Sequence, residues 1–309
     1  MRITSLNTWY EKASVRHFDR LMVDKDEEIA TKKFFPAHII PHLQHPLVAA
    51  RPLAQHRYLA AQYLYQWLHF TARFEVEVVL RTTHRIADGV SGLELPRSVR
   101  RDAMKICVDE QYHALYSVDV ADQIEDRSGI PALPYDFAPF VRHLDGVGAS
   151  DPQYTKLVQL LQVVVFETLI TSLLDDVPRD PELISVVRET VRDHATDESY
   201  HHAYFASLFM ELWTQLSPVD RRVVAHLLPQ VIVRSLQPAT RSARLALEQV
   251  GFSTAQIEDI LADSYGPQPV MDGIRHAARR TIGLFRRAGV FEVPGAQDAF
   301  HQAGFRSTA

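Results

Sequence analysis

The chain is short of cysteine and of glycine. Its 309 residues include one cysteine, Cys107, and 12 glycines. A single thiol excludes a disulfide within the chain and any iron–sulfur cluster that four thiolates of one chain would hold. The glycines do not form the G-x-G-x-x-G fingerprint of a flavin or nicotinamide site. Redox chemistry in this protein would therefore need electrons from another molecule.

The sequence also lacks a block of basic residues and an uninterrupted apolar segment. Lysine and arginine number 33 against 38 acidic residues, for a net charge of −5, so neither nucleic acid nor an anionic membrane surface is an expected partner. The longest apolar stretch, 157–174, is interrupted by two glutamines and by Glu167, and predicts no membrane span. Residues 1–7 become polar at once, unlike a secretory signal. We therefore expect a cytoplasmic protein.

Helical periodicity, with proline and glycine at the breaks, extends over most of the sequence. It predicts an all-α fold in one domain over residues 1–309, with a four-helix bundle core and additional N- and C-terminal helices. The bundle is expected at about 50–216, the extra C-terminal helices at 217–290, and a loose tail after Pro294. The predicted bundle helices are 52–86, 96–126, 151–174 and 180–216, followed by a helix from Ser217 and by 239–250, 253–262 and 270–287.

A five-residue phrase, D-E-x-Y-H, occurs twice, at Asp109–His113 and at Asp197–His201. Each copy places a glutamate and a histidine three residues apart, on the same side of a helix. Helical bundles hold two metal ions with two such pairs and one further carboxylate from each of two other helices. The phrase therefore predicts four metal ligands, which are Glu110, His113, Glu198 and His201.

Two glutamates on apolar helix faces can supply the remaining carboxylates. Glu75 shares a face with residues such as Leu68 and Val79, whereas nearby Glu77 lies on a polar stripe. Glu167 lies in an apolar run with no cationic side chain within seven positions. Burying a carboxylate without a partner is costly, and a metal ion is one such partner. For Glu167, a salt bridge to a distant arginine is the alternative.

Two further histidines accompany the second copy of the phrase. His194 lies four residues before Glu198, on the helical stripe that carries His201, and can join the same metal centre. His202 is also four residues from Glu198 and is an ambiguous candidate. We prefer His201 because it repeats the position of His113.

The aspartate that opens each phrase is expected to orient an imidazole. Metal-bound histidines usually donate their other N–H group to a carboxylate or carbonyl. By the approximate two-fold relation of the repeats, Asp109 should contact His201 and Asp197 should contact His113. Ordinary exposed aspartates are the alternative at both positions.

In the order Glu75, Glu110-x-x-His113, Glu167, His194-x-x-x-Glu198-x-x-His201, the chain resembles the p-aminobenzoate N-oxygenase family over about residues 34–236. The third histidine, four residues before the last glutamate, is the mark of that family. The resemblance implies a ferritin-like bundle in which these seven residues are the catalytic ligands of two iron ions, about 3.5–4 Å apart. The irons would cycle between Fe²⁺ and Fe³⁺ with an oxo or peroxo bridge. Manganese is the alternative metal, because oxygen and imidazole donors suit both.

The resemblance further implies a monooxygenase that uses O2 to N-oxygenate the amine of a small molecule, in secondary-metabolite biosynthesis. The expected partners are the amine, O2 and an external electron donor of the ferredoxin or reductase type, and the expected assembly is a homodimer. A carbon hydroxylase or desaturase on the same site is one alternative. A non-catalytic ferritin-like iron-binding protein is another, whereas a purely structural helical protein would leave Glu75 and Glu167 unexplained.

Substrate choice does not follow from the resemblance. The ligand face of the first helix offers Thr71 and Thr82 but no cation that would anchor an aryl carboxylate. The sequence therefore gives no support to an aminobenzoate as the substrate.

Overall fold

The computed structural model describes residues 6–17, 19–23, 26–174 and 176–305. These residues are helical almost throughout, and the β-structure among them is a single isolated bridge between Lys33 and Leu183. The all-α prediction is confirmed. The helices are α1 Trp9–Lys12, α2 Ser14–His17, α3 Asp26–Thr31, α4 Pro46–Ala49, α5 Leu53–Phe74, α6 Arg81–Asp88, α7 Arg97–Ser128, α8 Ala138–Asp145, α9 Thr155–Leu173, α10 Ser185–Gln215, α11 Pro218–Leu236, α12 Arg241–Gln249, α13 Thr254–Tyr265, α14 Pro267–Ala277, α15 Arg279–Ala288 and α16 Ala296–Gln302.

Four long helical segments form a ferritin-like bundle. The first consists of α5 and α6 joined by a π-helical stretch, Glu75–Leu80, so that one helix continues to the left-handed Gly89. This segment packs against α7, and α10 packs against both α7 and α9. Short π-helical stretches inside α-helices often mark functional sites, and this one begins at Glu75.

The apolar run of the sequence becomes α9, the most deeply buried helix of the bundle. Val163, Val164 and Val165 are each fully buried, so more than one side of this helix faces the core, which explains its long apolar run. No helix in the described ranges combines the length and the apolar character that crossing a bilayer requires.

The start of α10 was predicted wrongly. The helix begins at Ser185, not at Asp180, because a distant segment binds the preceding backbone. The Lys33 N–H donates to the Glu182 carbonyl at 2.8 Å, and the Ile184 N–H donates to the Lys33 carbonyl at 3.1 Å. The Glu28 carboxylate then accepts from the Ser185 N–H at 3.0 Å, as a helix cap would.

The C-terminal region departs from the prediction in two ways. The helix expected at 270–287 is two helices, α14 and α15, which meet at Ala278. The tail expected after Pro294 contains α16, which lies beyond the predicted limit at residue 290 and packs against α11. Its Phe300 is buried, with its ring centroid 4.7 Å from that of Phe291. Burial against a distant helix therefore orders a segment whose local sequence is weakly patterned.

Candidate metal centre

Seven buried side chains converge at the middle of the bundle in two clusters that share Glu198. We call the first the nitrogen-rich cluster; it contains Glu75, His113, His194 and Glu198. We call the second the carboxylate-rich cluster; it contains Glu110, Glu167, Glu198 and His201. Within each cluster the candidate ligand atoms lie within 4.8 Å of one another. These are the seven residues that the sequence singled out, and each is at most 2% exposed.

Each helical segment of the bundle contributes at least one of these side chains. The π-helical stretch carries Glu75, and α9 carries Glu167. Glu110 and its histidine lie on one face of α7, three residues apart. The spacing of four and then three residues likewise places His194, Glu198 and His201 on one buried stripe of α10.

In the nitrogen-rich cluster the imidazoles point at carboxylate oxygens. His194 Nε2 lies 3.5 Å from Glu75 Oε1 and 3.3 Å from Glu198 Oε1. His113 Nδ1 lies 3.4 Å from Glu198 Oε1 and 3.0 Å from Glu110 Oε2. Nitrogen and oxygen donors thus face a common point from three different helical segments.

The carboxylate-rich cluster repeats this arrangement with one imidazole. His201 Nδ1 lies 3.1 Å from Glu110 Oε1, 3.3 Å from Glu198 Oε1 and 3.9 Å from Glu167 Oε2. No arginine or lysine pairs with Glu167 in the described part of the chain, so the alternative of a core salt bridge finds no partner there.

Burying these carboxylates is electrostatically unfavourable unless positive charge lies beside them. Burial, together with the charge of Glu110, raises the pKa of Glu75 to about 8. Burial followed by the charges of Glu198 and Glu110 raises the pKa of Glu167 well above its usual range. At Glu198 burial acts in the same direction, but the imidazoles of His201, His113 and His194 outweigh it and lower the pKa well below the usual range. Neighbouring positive charge thus stabilises these buried carboxylates, and positive charge is also what a metal ion would supply.

Several of these atoms are buried and make no hydrogen bond of good geometry among the described residues, although some of them lie close to an oppositely charged group. They are Glu75 Oε2, Glu110 Oε1, Glu167 Oε2, His194 Nε2 and Glu198 Oε2. An unpaired polar atom in a protein interior is rare and costly, so a cluster of five calls for a ligand. Four carboxylates and three imidazoles are the donors that first-row divalent metals such as iron and manganese accept. The residues present fit two metal ions.

The paired aspartates lie where the two-fold relation of the repeats predicts. His201 Nε2 donates to Asp109 Oδ2 at 3.1 Å, and His113 Nε2 donates to Asp197 Oδ2 at 3.2 Å. Both aspartates are at most 2% exposed, which rules out the alternative of ordinary surface carboxylates. Each contact leaves Nδ1 of the same ring directed into a cluster.

An N-terminal arm, formed by α1 and α2, donates hydrogen bonds to both aspartates. Trp9 Nε1 donates to both carboxylate oxygens of Asp109, at 2.9 and 2.8 Å. The hydroxyl and the backbone N–H of Ser14 both donate to Asp197. The sequence gives no local signal for these contacts, because about 100 residues or more separate the partners.

Two side chains that the sequence left aside occupy other environments. His202 belongs to neither cluster and lies near Arg280 and Arg287, whose charges together with burial lower its pKa. Glu77 forms a surface ion pair with Arg73 at 2.7 Å, as its place on the polar stripe suggests. Its other neighbour on the helix, the arginine at 81, instead bonds Asp145.

A cavity of about 260 Å³, here called the aromatic cavity, reaches the nitrogen-rich cluster at Glu75. Phe74 and Phe166 line it, and each immediately precedes a cluster glutamate in the sequence. Their ring centroids are 3.7 Å apart. Sequence reasoning missed this cavity because its lining comes from several helices that are distant in the sequence.

Comparison with known proteins agrees with this geometry. A family model described as p-aminobenzoate N-oxygenase AurF matches residues 5–289, a longer stretch than the 34–236 expected from the motif. No curated protein matches the chain significantly. The match covers most of the sequence and includes every residue of both clusters. The chain therefore belongs to the p-aminobenzoate N-oxygenase AurF family, a family of di-iron oxygenases, and the prediction of such an enzyme is confirmed.

Proposed function

We propose that this protein is a non-haem di-iron monooxygenase that N-oxygenates the amine of a small molecule. The observation that carries the proposal is the pair of buried clusters sharing Glu198, with five unpaired ligand atoms, beside a cavity that reaches Glu75. Family membership supports the reaction type, and it is also the basis for placing the reaction in secondary-metabolite biosynthesis.

The seven cluster residues would hold two iron ions. Their four carboxylates balance the charge of two Fe²⁺ ions, and the three imidazoles complete the donor set. When bound, the iron pair would supply the activation of O2. Asp109 and Asp197 would fix the orientation of His201 and His113 by accepting their Nε2 protons.

The reaction that we propose converts a primary amine and O2 into a hydroxylamine and water. One oxygen atom forms the new N–O bond, and the other leaves as water with two protons and two electrons. The chain has one cysteine and no flavin fingerprint, so the electrons would come from a ferredoxin- or reductase-type donor. The hydrophobic walls of the aromatic cavity would exclude water from the reacting nitrogen.

The test of the metal centre is metal content. Full-length protein reconstituted with Fe²⁺ under anaerobic conditions should bind about two iron atoms per chain, as ferritin-like carboxylate bundles do. Parallel loading with Mn²⁺ would show which metal the site retains after exchange against excess of the other. Fewer than one atom per chain with either metal would contradict a dinuclear centre.

The test of the reaction is product identity. Iron-loaded protein supplied with O2, reduced ferredoxin and an aromatic amine should form an N-oxygenated product, identified by mass spectrometry with ¹⁸O2. A product labelled at carbon would instead identify a hydroxylase, and a desaturated product a desaturase. Iron oxidation without any oxidised amine would identify a non-catalytic iron-binding protein.

A further inference from the structure

The aromatic cavity follows one face of the first bundle helix away from the metal centre. Tyr63, Trp67, Phe70 and Thr71 line it at helical spacing, and Glu75 lines its inner end. At a rise of 1.5 Å per residue, the axial distance from the first of these to Glu75 is about 18 Å. The cavity is therefore elongated, with its length directed at the nitrogen-rich cluster.

The walls of the cavity suit a flat apolar body. The Phe70 ring centroid lies 5.4 Å from that of Phe74 and 5.1 Å from that of Phe140, with the latter pair edge to face. Phe166 completes this group against Phe74. Aromatic rings prefer such offset and edge-on neighbours at these distances, so an aromatic ring is the ligand that these walls complement.

The lining of the cavity carries no charge apart from Glu75. Its polar groups are hydroxyls and amides, from residues such as Gln66, Thr71 and Gln237, and no lysine, arginine or histidine lines it among the residues described. Burial raises the pKa of Tyr63 to about 12, so this hydroxyl remains a neutral donor. A carboxylate bound here would lose its hydration without gaining a cation, which is unfavourable.

Apart from the Glu75 carboxylate, a hydroxyl in the cavity lining also has no hydrogen-bond partner among the described residues. Ser235 is 5% exposed, and its Oγ atom makes no hydrogen bond within the described structure. It lies near the end of α11, two residues before the exposed Gln237, which also lines the cavity. A buried hydroxyl of this kind can accept from or donate to a neutral group of a ligand, such as an amide, an ester or a hydroxyl.

A second cavity, of about 380 Å³, contains a cation. No residue of either cluster lines it, although its lining includes Tyr116, whose ring centroid lies 5.5 Å from that of His113. Arg20, Asp119 and Asp193 line it, together with residues outside both clusters. The arginine is already bonded to Asp119, with its Nε 2.9 Å from Oδ2. Because this arginine is already paired with a carboxylate, it is a poorer anchor for an anionic group of a substrate.

On these grounds, and resting on the proposed N-oxygenase function, we propose that the substrate is an elongated, uncharged aromatic amine. Its amine lies toward Glu75, its ring lies between Phe70, Phe74 and Phe140, and a neutral polar group at its far end bonds Ser235. An aminobenzoate anion, the substrate in the family's name, is disfavoured in this chain.

The experiment compares two ligands that differ in charge at one position. Binding of 4-aminobenzamide and of 4-aminobenzoate to iron-loaded, full-length protein is measured by calorimetry, with quenching of tryptophan fluorescence, to which Trp67 in the cavity lining contributes, as a second readout. The amide should bind at least about 10-fold more tightly, because only the anion loses hydration without compensation. Equal or tighter binding of the benzoate would overturn the proposal.

Variants then test the orientation in the cavity. Gln66→Arg places a cation on the lining about 13 Å from Glu75 along the helix axis, and should shift the preference toward 4-aminobenzoate. Gln302→Arg, an exposed position on α16, is the matched control and should leave the preference unchanged. Ser235→Ala should weaken amide binding by about 2–10-fold, the range of one hydrogen bond. No shift with Gln66→Arg, or an equal shift with the control, would refute the assignment.

These measurements separate the inference from the proposed function because binding requires no turnover. Preferential binding of the amide without any N-oxygenated product would support the cavity assignment and contradict the reaction. N-oxygenation of both compounds with equal affinities would support the reaction and contradict the substrate class.

Discussion

The two halves of the metal centre differ in their donors and in what lies beside them. The nitrogen-rich cluster has two imidazoles, His113 and His194, whereas the carboxylate-rich cluster has one, His201. The nitrogen-rich half also borders the aromatic cavity through Glu75, while neither Glu110 nor Glu167 lines that cavity. Although the D-E-x-Y-H phrase is duplicated, the site is asymmetric. Its additional imidazole belongs to the cluster that borders the cavity, which is the side that a substrate would approach.

The two aspartates that bond the cluster histidines also differ in their own surroundings. Burial raises the pKa of Asp109, and the Trp9 indole donates a hydrogen bond to this carboxylate. Burial also acts on Asp197, but there the hydrogen bonds from His113 and Ser14 outweigh it and lower the pKa. Two carboxylates with the same position in the repeat thus orient their imidazoles through different partners. The comparison shows that the repeat places equivalent residues in both clusters, whereas residues outside the repeat give the two aspartates different hydrogen-bond partners.

Removing the one residue that both halves share should have the largest effect. Glu198→Ala should abolish binding of both metals, beyond the roughly 10–100-fold loss that removal of an outer partner causes. Glu77→Ala, at a partly exposed glutamate outside both clusters, is the control and should retain full metal content. Metal analysis after reconstitution measures both. Retention of one metal by the Glu198 variant would show that the halves are independent sites.

His194→Ala should lower the rate of N-oxygenation without releasing either metal. Six ligands remain, which suffices for a dinuclear bundle site, so both metals should stay bound. We expect N-oxygenation to fall by about 100-fold, the scale at which single groups act in a transition state. His202→Ala, the neighbouring histidine outside both clusters, should keep its activity. Full turnover of the amine by the His194 variant would make that residue a bystander.

Asp109→Asn and Asp197→Asn test whether the halves depend equally on their supports. Each should weaken metal retention by about 10–100-fold, because an amide supports the imidazole less well than a carboxylate. The metal lost first should be that of the carboxylate-rich cluster for Asp109 and that of the nitrogen-rich cluster for Asp197. Competition with a chelator measures the losses, and the exposed Asp122→Asn is the control. Unchanged retention in both variants would remove the proposed role.

The N-terminal arm should have the smallest effect. Trp9→Phe removes the donor to Asp109 and Ser14→Ala removes a donor to Asp197, and each should lower metal retention by about 2–10-fold, as expected for one hydrogen bond. Tyr10→Phe is the matched control for the tryptophan, because Tyr10 is exposed in the same helix. The same chelator competition applies. A loss with Tyr10→Phe equal to that with Trp9→Phe would mean that the arm acts only through packing.

Helix limits show how far local sequence information extends. The prediction located the end of α7 to within two residues because Gly129 adopts the left-handed conformation there. The start of α11 at Pro218 was also predicted correctly, since Ser217 caps it locally by accepting from the Asp220 N–H. The start of α10 was wrong because its cap, Glu28, comes from 157 residues away. Helix ends that are fixed by residues nearby in the sequence were predictable. The start of α10, which is fixed by a residue distant in the sequence, was not.

The sequence alone predicted the seven residues that the structure brings together in the two clusters, since two copies of D-E-x-Y-H and two glutamates on apolar faces are local patterns with a helical period. It likewise determined the all-α fold and the crossed pairing of each aspartate with the opposite histidine. Only the tertiary structure showed that the cluster with two imidazoles is the one beside the cavity. It also showed that Trp9 and Ser14 donate hydrogen bonds to the two aspartates. It also formed the uncharged cavity, whose lining comes from several separate helices and a loop. The physical reason is that helical period fixes which side chains share a face, whereas packing between distant segments fixes what that face meets.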